Sequence, residues 1–525
     1  MNPKILLLTI MCLSSKQLFG QAKLRKMPPN INHTSVNNFA PYVSLDGNAM
    51  VYIADVAEDN ALTLNYTVRD GVNWRDPIIF GKSINSRLNL LKGFALGPDG
   101  KTLYLSNGKP NGLGGFDIYT SQLTGNIWSE PANMGLPVNS KSNEGCPSVS
   151  VDGNTMYFMR CEKMDFGKAE GCRLMMITKK SNGQWELPVE LPPHVNTGNS
   201  QTPRIMGDGE SLIFSSNKLQ PSEGGMDLYV TQFNNGQWSK PKPLDFANTS
   251  ADDQYVSATS LGRYLLKDAP GQRNNELIEI LFPNEVRPKG MMKIEGAVAG
   301  PADPSSSFVT VFNMKDQSKV FSTKPGKDGV FVAYIKEGGL YDFSVEPEKD
   351  NYTFYSKRFD LTGDKFPALE KVSATIKAAA IGDEIPLNGI SFKSYTSEID
   401  PASTQELRRI ARMIQGNPEK SFSIVVTLTG YQRDSVRSGA DMTEVLIDSI
   451  KIPVIYKVDS VLTATRDSMM IKTTYHNDRT AKQAKALREY FIKQEIPEAR
   501  VTCSGKALPE PTLENRKTTV KVIVR

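Results

Sequence analysis

The side chains able to do chemistry are few and poorly grouped. Only three histidines, His33, His194 and His476, occur among 525 residues. A His-ligated metal site needs several imidazoles together, and a nucleophile of the Ser-His type needs one beside it, so the count argues against both. The sequence has no G-x-S-x-G, H-E-x-x-H or C-x-x-C, the patterns that expose a nucleophile, pair two ligands on one helix face or make a redox couple. Gly100-Lys101-Thr102 has the ending of a phosphate-binding loop, but Ala95 stands where the first glycine is required and the segment reads as a hairpin turn. Asp252-Asp253 is a lone acidic pair that reads as a solvated turn. Two carboxylates converging in one pocket are able to cleave glycosides, yet no pair stands out among the many acidic residues. The expectation is a non-enzymatic protein, with no catalytic residue, metal ligand or cofactor.

Composition narrows the class further. The chain is 39% hydrophobic and 23% charged, with 62 Lys and Arg against 57 Asp and Glu for a net charge of +5. That is soluble globular material, long enough for several domains. The charge excess is too small for a nucleic-acid binder, which concentrates basic residues in a patch. At the N-terminus, Lys4 precedes the apolar run Ile5 to Leu13, too short to span a bilayer as a helix. Residues 1–20 read as a secretory signal peptide with a mature start at Gln21. Met11 is bulky where lipid-attachment signals want a small residue, which argues against lipidation at Cys12. No other stretch reaches 18 apolar residues, so no transmembrane span is expected in the mature chain. An exported, oxidising compartment permits disulfides. Cys161 and Cys172 flank a polar insert between two strand-like runs; a bridge across its base and two reduced buried thiols both fit.

Repeats dominate the first half. Asp46-Gly47, Asp99-Gly100, Asp152-Gly153 and Asp208-Gly209 recur at intervals of 53, 53 and 56 residues, and a degenerate copy, Leu261-Gly262, falls 53 later. Each Asp-Gly joins two alternating apolar runs, the signature of a β-hairpin. The four tryptophans, Trp74, Trp128, Trp185 and Trp238, keep the same period. Four short strands per repeat of about 53 residues describe a propeller blade. One blade cannot bury both faces, so the copies must close into a ring. With its P-x-x-S-x-D-G-x-x-Φ-Y/F pattern, the segment 21–285 resembles the TolB-like, WD-repeat-like propellers of exported bacterial proteins. Five blades are expected, with six as the alternative if the chain ends build another. Asp-Gly is read as a turn and Trp as packing between blades.

After Arg287-Pro288 the period stops. Residues 290–380 alternate as strands between Gly, Pro and Asp turns, a small β-sandwich. Asp328-Gly329-Val330-Phe331 and Gly339-Leu340-Tyr341-Asp342-Phe343 resemble the carboxypeptidase regulatory-like domain, which implies a spacer or docking module. Residues 384–525 become mixed α/β, with one helix carrying Leu407, Ile410, Ala411 and Ile414 on one face. This order, and the segment from Ala484 to Pro511, resembles the OmpA C-terminal-like domain that anchors outer-membrane proteins to peptidoglycan.

That family pairs an Asp after G-H-T with the ammonium of a cell-wall amino acid, and an Arg in L-S-x-x-R-A with its carboxylate. Here Arg433 follows Gly430-Tyr431-Gln432, and Gln483 stands in Arg479-Thr480-Ala481-Lys482-Gln483-Ala484. Asp434 and Lys482 each lie one residue away, where a local shift would restore the pair. Tyr475 matches the tyrosine that opens the second motif, while His476 replaces its usual asparagine. The peptidoglycan-binding candidates are therefore the degenerate set Arg433, Asp434, Tyr475, Lys482 and Gln483, and the insert of roughly residues 435–474 exceeds the usual loop.

The resemblances together imply a mainly β, multi-domain periplasmic protein associated with the outer membrane. Its propeller would dock envelope proteins, and its OmpA-like domain would hold peptidoglycan or a protein partner. This order of domains resembles accessory components of envelope machines such as type IX secretion. The alternative is a glycan-binding or glycan-cleaving propeller tethered to the envelope.

Overall fold

The computed structural model describes residues 24–525 apart from 45–46, 57–60, 86–92, 109–111, 126, 166, 302, 364, 431–436, 438–442, 459–462 and 509–516. The proposed signal peptide and Cys12 lie outside the described residues. The chain divides into two compact units, Met1–Met291 and Met292–Arg525. Both are mainly β.

The first unit holds five principal antiparallel sheets among the described residues. The first runs Asn38–Val43, Ala49–Val56, Ala61–Asp70 and Asn73–Trp74, with Ile78–Ile79 added beside Ala61–Asp70. The sheets beginning at Phe94–Leu96 and Ser200–Ile205 repeat that order, and the one beginning at Asn143–Val149 keeps it except that Trp185 makes only an isolated bridge. The Asp-Gly turns behave as expected: Gly100, Gly153 and Gly209 have φ of 65°, 70° and 68°, and Asp99 and Asp208 accept from backbone N–H groups two and three residues on. The fifth sheet has only Ser257–Ala258, Tyr264–Pro270 and Asn275–Leu281 from its own repeat. Its fourth strand is Leu24–Lys26, from the other end of the unit, in register Leu24↔Ile280 to Lys26↔Ile278.

Packing is circular. One apolar cluster joins the first three sheets through Val51, Leu64, Leu105, Ile118 and Phe158. Others join the third to the fourth, the fourth to the fifth, and the fifth back to the first through Leu266, Leu277, Met50 and Tyr52. This is the arrangement of a β-propeller. The tryptophans lie at the sheet junctions: Trp128 is 5.5 Å from Phe80 and Trp238 is 5.9 Å from Tyr157, each on the preceding sheet.

Neighbouring sheets are knit by hydrogen bonds between side chains and backbone. Tyr42 Oη donates to Leu96 O (3.1 Å), Ser106 Oγ to Glu144 O (2.6 Å), Ile205 N to Ser148 Oγ (3.0 Å) and Val43 N to Ser257 Oγ (3.0 Å). The fourth-to-fifth link is Arg204, whose Nε donates to Val256 O at 2.9 Å and whose Nη1 reaches Phe94 O at 3.4 Å. Its guanidinium also lies 4.2 Å from the Tyr42 ring centroid, so one side chain of the fourth sheet touches the fifth, second and first. Each inner strand bends at an equivalent residue of positive φ: Ala40, Gly93, Cys146, Thr202 and Tyr255. Four of these are not glycine, and each such conformation costs about 1–3 kcal/mol that the surrounding contacts must offset.

The second unit begins as a sandwich. A three-stranded sheet (Val330–Lys336, Met291–Ala299, Leu369–Thr375) faces a four-stranded one (Lys319–Thr323, Ser307–Asn313, Leu340–Pro347, Tyr355–Asp360). Phe343 lies between them, fully buried, with Phe331 and Phe359 within 6 Å. A further sheet follows in the order Glu384–Leu387, Lys517–Val524, Phe422–Thr429, Val501–Leu508, with helices Thr404–Gln415 and Thr480–Lys493. Phe422, Ile424, Val426 and Leu428 alternate inward beneath Leu407, Ile410 and Ile414. Among the described residues no helix is long and apolar enough to cross a membrane.

Replacing Arg204 by methionine keeps the volume but leaves buried carbonyl oxygens unpaired. The expected loss is about 2–4 kcal/mol of unfolding free energy, checked by chemical denaturation. Arg204→Lys is expected to recover less than half of it, because one ammonium cannot span both carbonyls and the ring.

Candidate functional site

Of the five sequence-predicted site residues, Arg433 and Asp434 lie outside the described residues. The other three surround the start of helix Thr480–Lys493. Gln483 is buried in its first turns, donates its backbone N–H to Arg479 O at 2.9 Å, and has no partner for its side-chain Nε2. Lys482 points the other way, and its Nζ is 2.6 Å from Glu444 Oε2. Tyr475 pairs with Val445 on the adjoining strands. The structure therefore gathers Tyr475, Lys482 and Gln483 at one end of the helix. It commits the lysine to a carboxylate.

The insert is a two-stranded ribbon. Glu444–Lys457 and Thr463–His476 pair antiparallel over fourteen registers. Successive side chains alternate between its faces. Registers Ser449↔Ile471 and Lys451↔Met469 therefore put Ile447, Ile455, Met469 and Ile471 on one face. They are 68%, 70%, 59% and 70% exposed. Leu446, Val454, Tyr456 and Met470 are exposed on the other. A lone two-stranded ribbon is marginally stable in water, and here both faces expose apolar side chains. The sequence signal, the alternation in EVLIDSIKIPVIYK, was available, but periodicity shows a strand without showing what covers it.

A second feature has no signal in the helix pattern. Helix Thr404–Gln415 buries Glu406 and Arg409 along with its apolar residues. Arg409 Nη2 donates to both oxygens of Asp342 (2.8 and 2.7 Å) and to Glu406 Oε2 (2.7 Å), while Nη1 reaches Glu346 Oε1 at 3.5 Å. Ser356 Oγ donates to Glu406 Oε1 at 2.7 Å, and Arg412 pairs with the far oxygen of Glu346. This cluster joins the sandwich strand Leu340–Pro347 to the helix of the α/β sheet, so the two predicted domains share one compact unit. Three carboxylates around it hold the Arg409 guanidinium well above its usual pKa despite the cost of burial. Asp342 moves from 3.8 to about 6, because burial outweighs the pairing with Arg409.

In the first unit, Cys161 and Cys172 are joined as a disulfide at the base of a short ladder, Lys163–Met164 with Ala169–Glu170. The solvated reading of Asp252-Asp253 is corrected. Asp253 is buried and ion-paired with buried Lys267, whose Nζ also donates to Ala247 O at 2.8 Å. Asp252 accepts from Met226 N at 2.9 Å. Two cavities of this unit, one beside Arg204 and one beside Trp128, have no carboxylate in their linings. Among the described residues no three His, Cys, Asp or Glu side chains are gathered as metal ligands would be.

No family model matches the chain, and no curated protein matches it. Among solved structures it is similar to TolB from Acinetobacter baumannii, at 15% identity over 58% of this chain and 62% of that one, with a TM-score of 0.29. A putative TolB from Agrobacterium tumefaciens is 14% identical over 57% of this chain and 90% of that one, TM-score 0.29. Bacteroides ovatus Xyloglucan PUL GH43B is 13% identical over 64% and 91%, TM-score 0.30. The propeller description rests on the sheet order and circular packing above.

The Asp342 pKa sets a pH dependence with a definite sign. Its folded value lies above its unfolded one, so the folded state takes up a proton first as pH falls. The stability that this group withholds at neutral pH is regained between about pH 6 and pH 4. Wild type is expected to gain about 1–2 kcal/mol relative to Asp342→Asn when melts at pH 7.5 and pH 5 are compared. A difference independent of pH would refute the assignment.

Proposed function

We propose that the chain is a non-enzymatic scaffold of the bacterial cell envelope, exported to the periplasm and held near the outer membrane by protein contacts. In this reading the five sheets of the first unit are the five blades of a TolB-like propeller that docks partner proteins. The sandwich is a regulatory-like spacer, and the α/β sheet with its two helices is an OmpA C-terminal-like domain. The ribbon, in the place of that domain's ligand loop, contacts a protein partner.

The observation that carries the reading is the state of the family's ligand position. A cell-wall amino acid needs a free cation for its carboxylate. Gln483 is neutral and buried, and Lys482 is tied to Glu444 at the base of the ribbon. The same ribbon exposes apolar side chains on both faces, a surface suited to covering by protein.

The test is co-sedimentation of the full chain with insoluble peptidoglycan. It should remain in the supernatant under conditions where an OmpA-type domain with intact Asp and Arg pellets. Crosslinked pull-downs from native envelopes should retain partners with wild type and lose them at least tenfold with Ile447→Ser/Ile455→Ser/Ile471→Ser. Pelleting comparable to the intact domain would sink the reading.

A further inference from the structure

The repeats supply an internal standard for which surface positions the fold itself requires. After the Pro that follows each Trp, the four copies carry Ile78-Ile79, Ala132-Asn133, Val189-Glu190 and Lys242-Pro243. Immediately before each Trp they carry Asn73, Ile127, Gln184 and Gln237, all exposed. The fold therefore accepts polar or small residues at both places. The first copy departs from this with two isoleucines, the second with one and the third with Val189.

The isoleucines meet in space. Ile78, Ile79 and Ile127 line one groove between the first and second sheets, floored by Phe80, Trp128 and Tyr66. Phe80 is 5.5 Å from Trp128 and 6.1 Å from Tyr66, measured between ring centroids. The isoleucines are 68%, 55% and 76% exposed, although water is the worst environment for them. The aliphatic residues of the first two copies converge in this groove, whereas Val189, at the equivalent place of the third sheet, is not among the residues that line it.

We propose that this groove binds a short, extended, uncharged apolar segment of a partner protein. Three arguments select that occupant. The groove is lined by only nine residues, well under the roughly 20–30 a side of a stable two-protein interface, so a second copy of the chain is too large an answer. The lining carries no charged side chain, so a charged segment would lose hydration without compensation. Ile78–Ile79 pairs on one side with Ala61–Asp70, and no strand among the described residues lies along its other side. An extended segment joining that edge gains main-chain hydrogen bonds and places alternate side chains in the groove. The inference does not depend on the ribbon or on peptidoglycan.

The probes are fluorescein-labelled nonapeptides on a Gly/Ser/Thr background. One set carries Ile, Leu or Phe at alternating positions; a second carries the same residues at helical spacing. Fluorescence polarisation against the full chain is expected to show binding of the alternating set. Ile78→Ala/Ile79→Asn/Ile127→Gln is expected to weaken it at least tenfold. Val189→Glu, at the equivalent place on the third sheet, should leave it within twofold. The triple variant uses residues that other repeats already carry, so its melting curve should match wild type. If it melts early, Ile127→Gln alone carries the test, with at least a threefold loss expected. No binding by the alternating set, equal binding by the variant that folds, or binding only by the helically spaced set would overturn the proposal.

Discussion

A sheet of four short strands has two faces, and a repeat of about 53 residues has nothing else with which to cover them. Each sheet of the first unit can be buried only by its neighbours, so stability depends on every junction being filled, including the one between the last sheet and the first. The fifth sheet is where this constraint is hardest to meet. Its own repeat lacks the tryptophan and the fourth strand, and Leu24–Lys26 supplies the missing edge. Pairing strands from opposite ends of the unit completes this sheet and ties the first repeat to the last.

Arg204 in the first unit and Arg409 in the second are both deeply buried, and the two are handled in opposite ways. Arg204 is held by backbone carbonyls and the face of Tyr42, and burial draws its pKa down. Arg409 is held by three carboxylates that push its pKa up. The first arrangement suits the narrow centre of a ring, where carbonyls of several inner strands converge and one flat, multi-donor group reaches several of them. The second joins a helix to a sheet, where charges of opposite sign neutralise each other but Asp342 remains costly to ionise.

The surfaces that suggest function are those where burial is incomplete. The ribbon and the groove beside Trp128 expose aliphatic side chains that packing does not require, whereas Tyr475, Lys482 and Gln483 are drawn into pairing, burial or an ion pair with Glu444. This end of the α/β sheet uses its lysine to brace the ribbon.

The periodic part of the fold was legible in the residue string. Asp-Gly turns, tryptophan spacing and alternating runs are local signals, because a turn of positive φ and a two-residue alternation are properties of neighbouring residues. The helix face of Leu407, Ile410, Ala411 and Ile414 was legible for the same reason. The burial of Arg409 and Glu406 on the opposite face was not, because their partner Asp342 lies 67 residues earlier on another sheet. Asp253 read as solvated for want of any sign that Lys267 would meet it. The bends at Ala40, Gly93, Cys146, Thr202 and Tyr255 share a position but no residue type, so only the crowding of the inner strands reveals them. By itself the sequence determined the repeats and the turn chemistry. The tertiary structure decided which charges are neutralised, how the ring closes and where unneeded isoleucines converge, because each of these depends on distances between segments far apart in the chain.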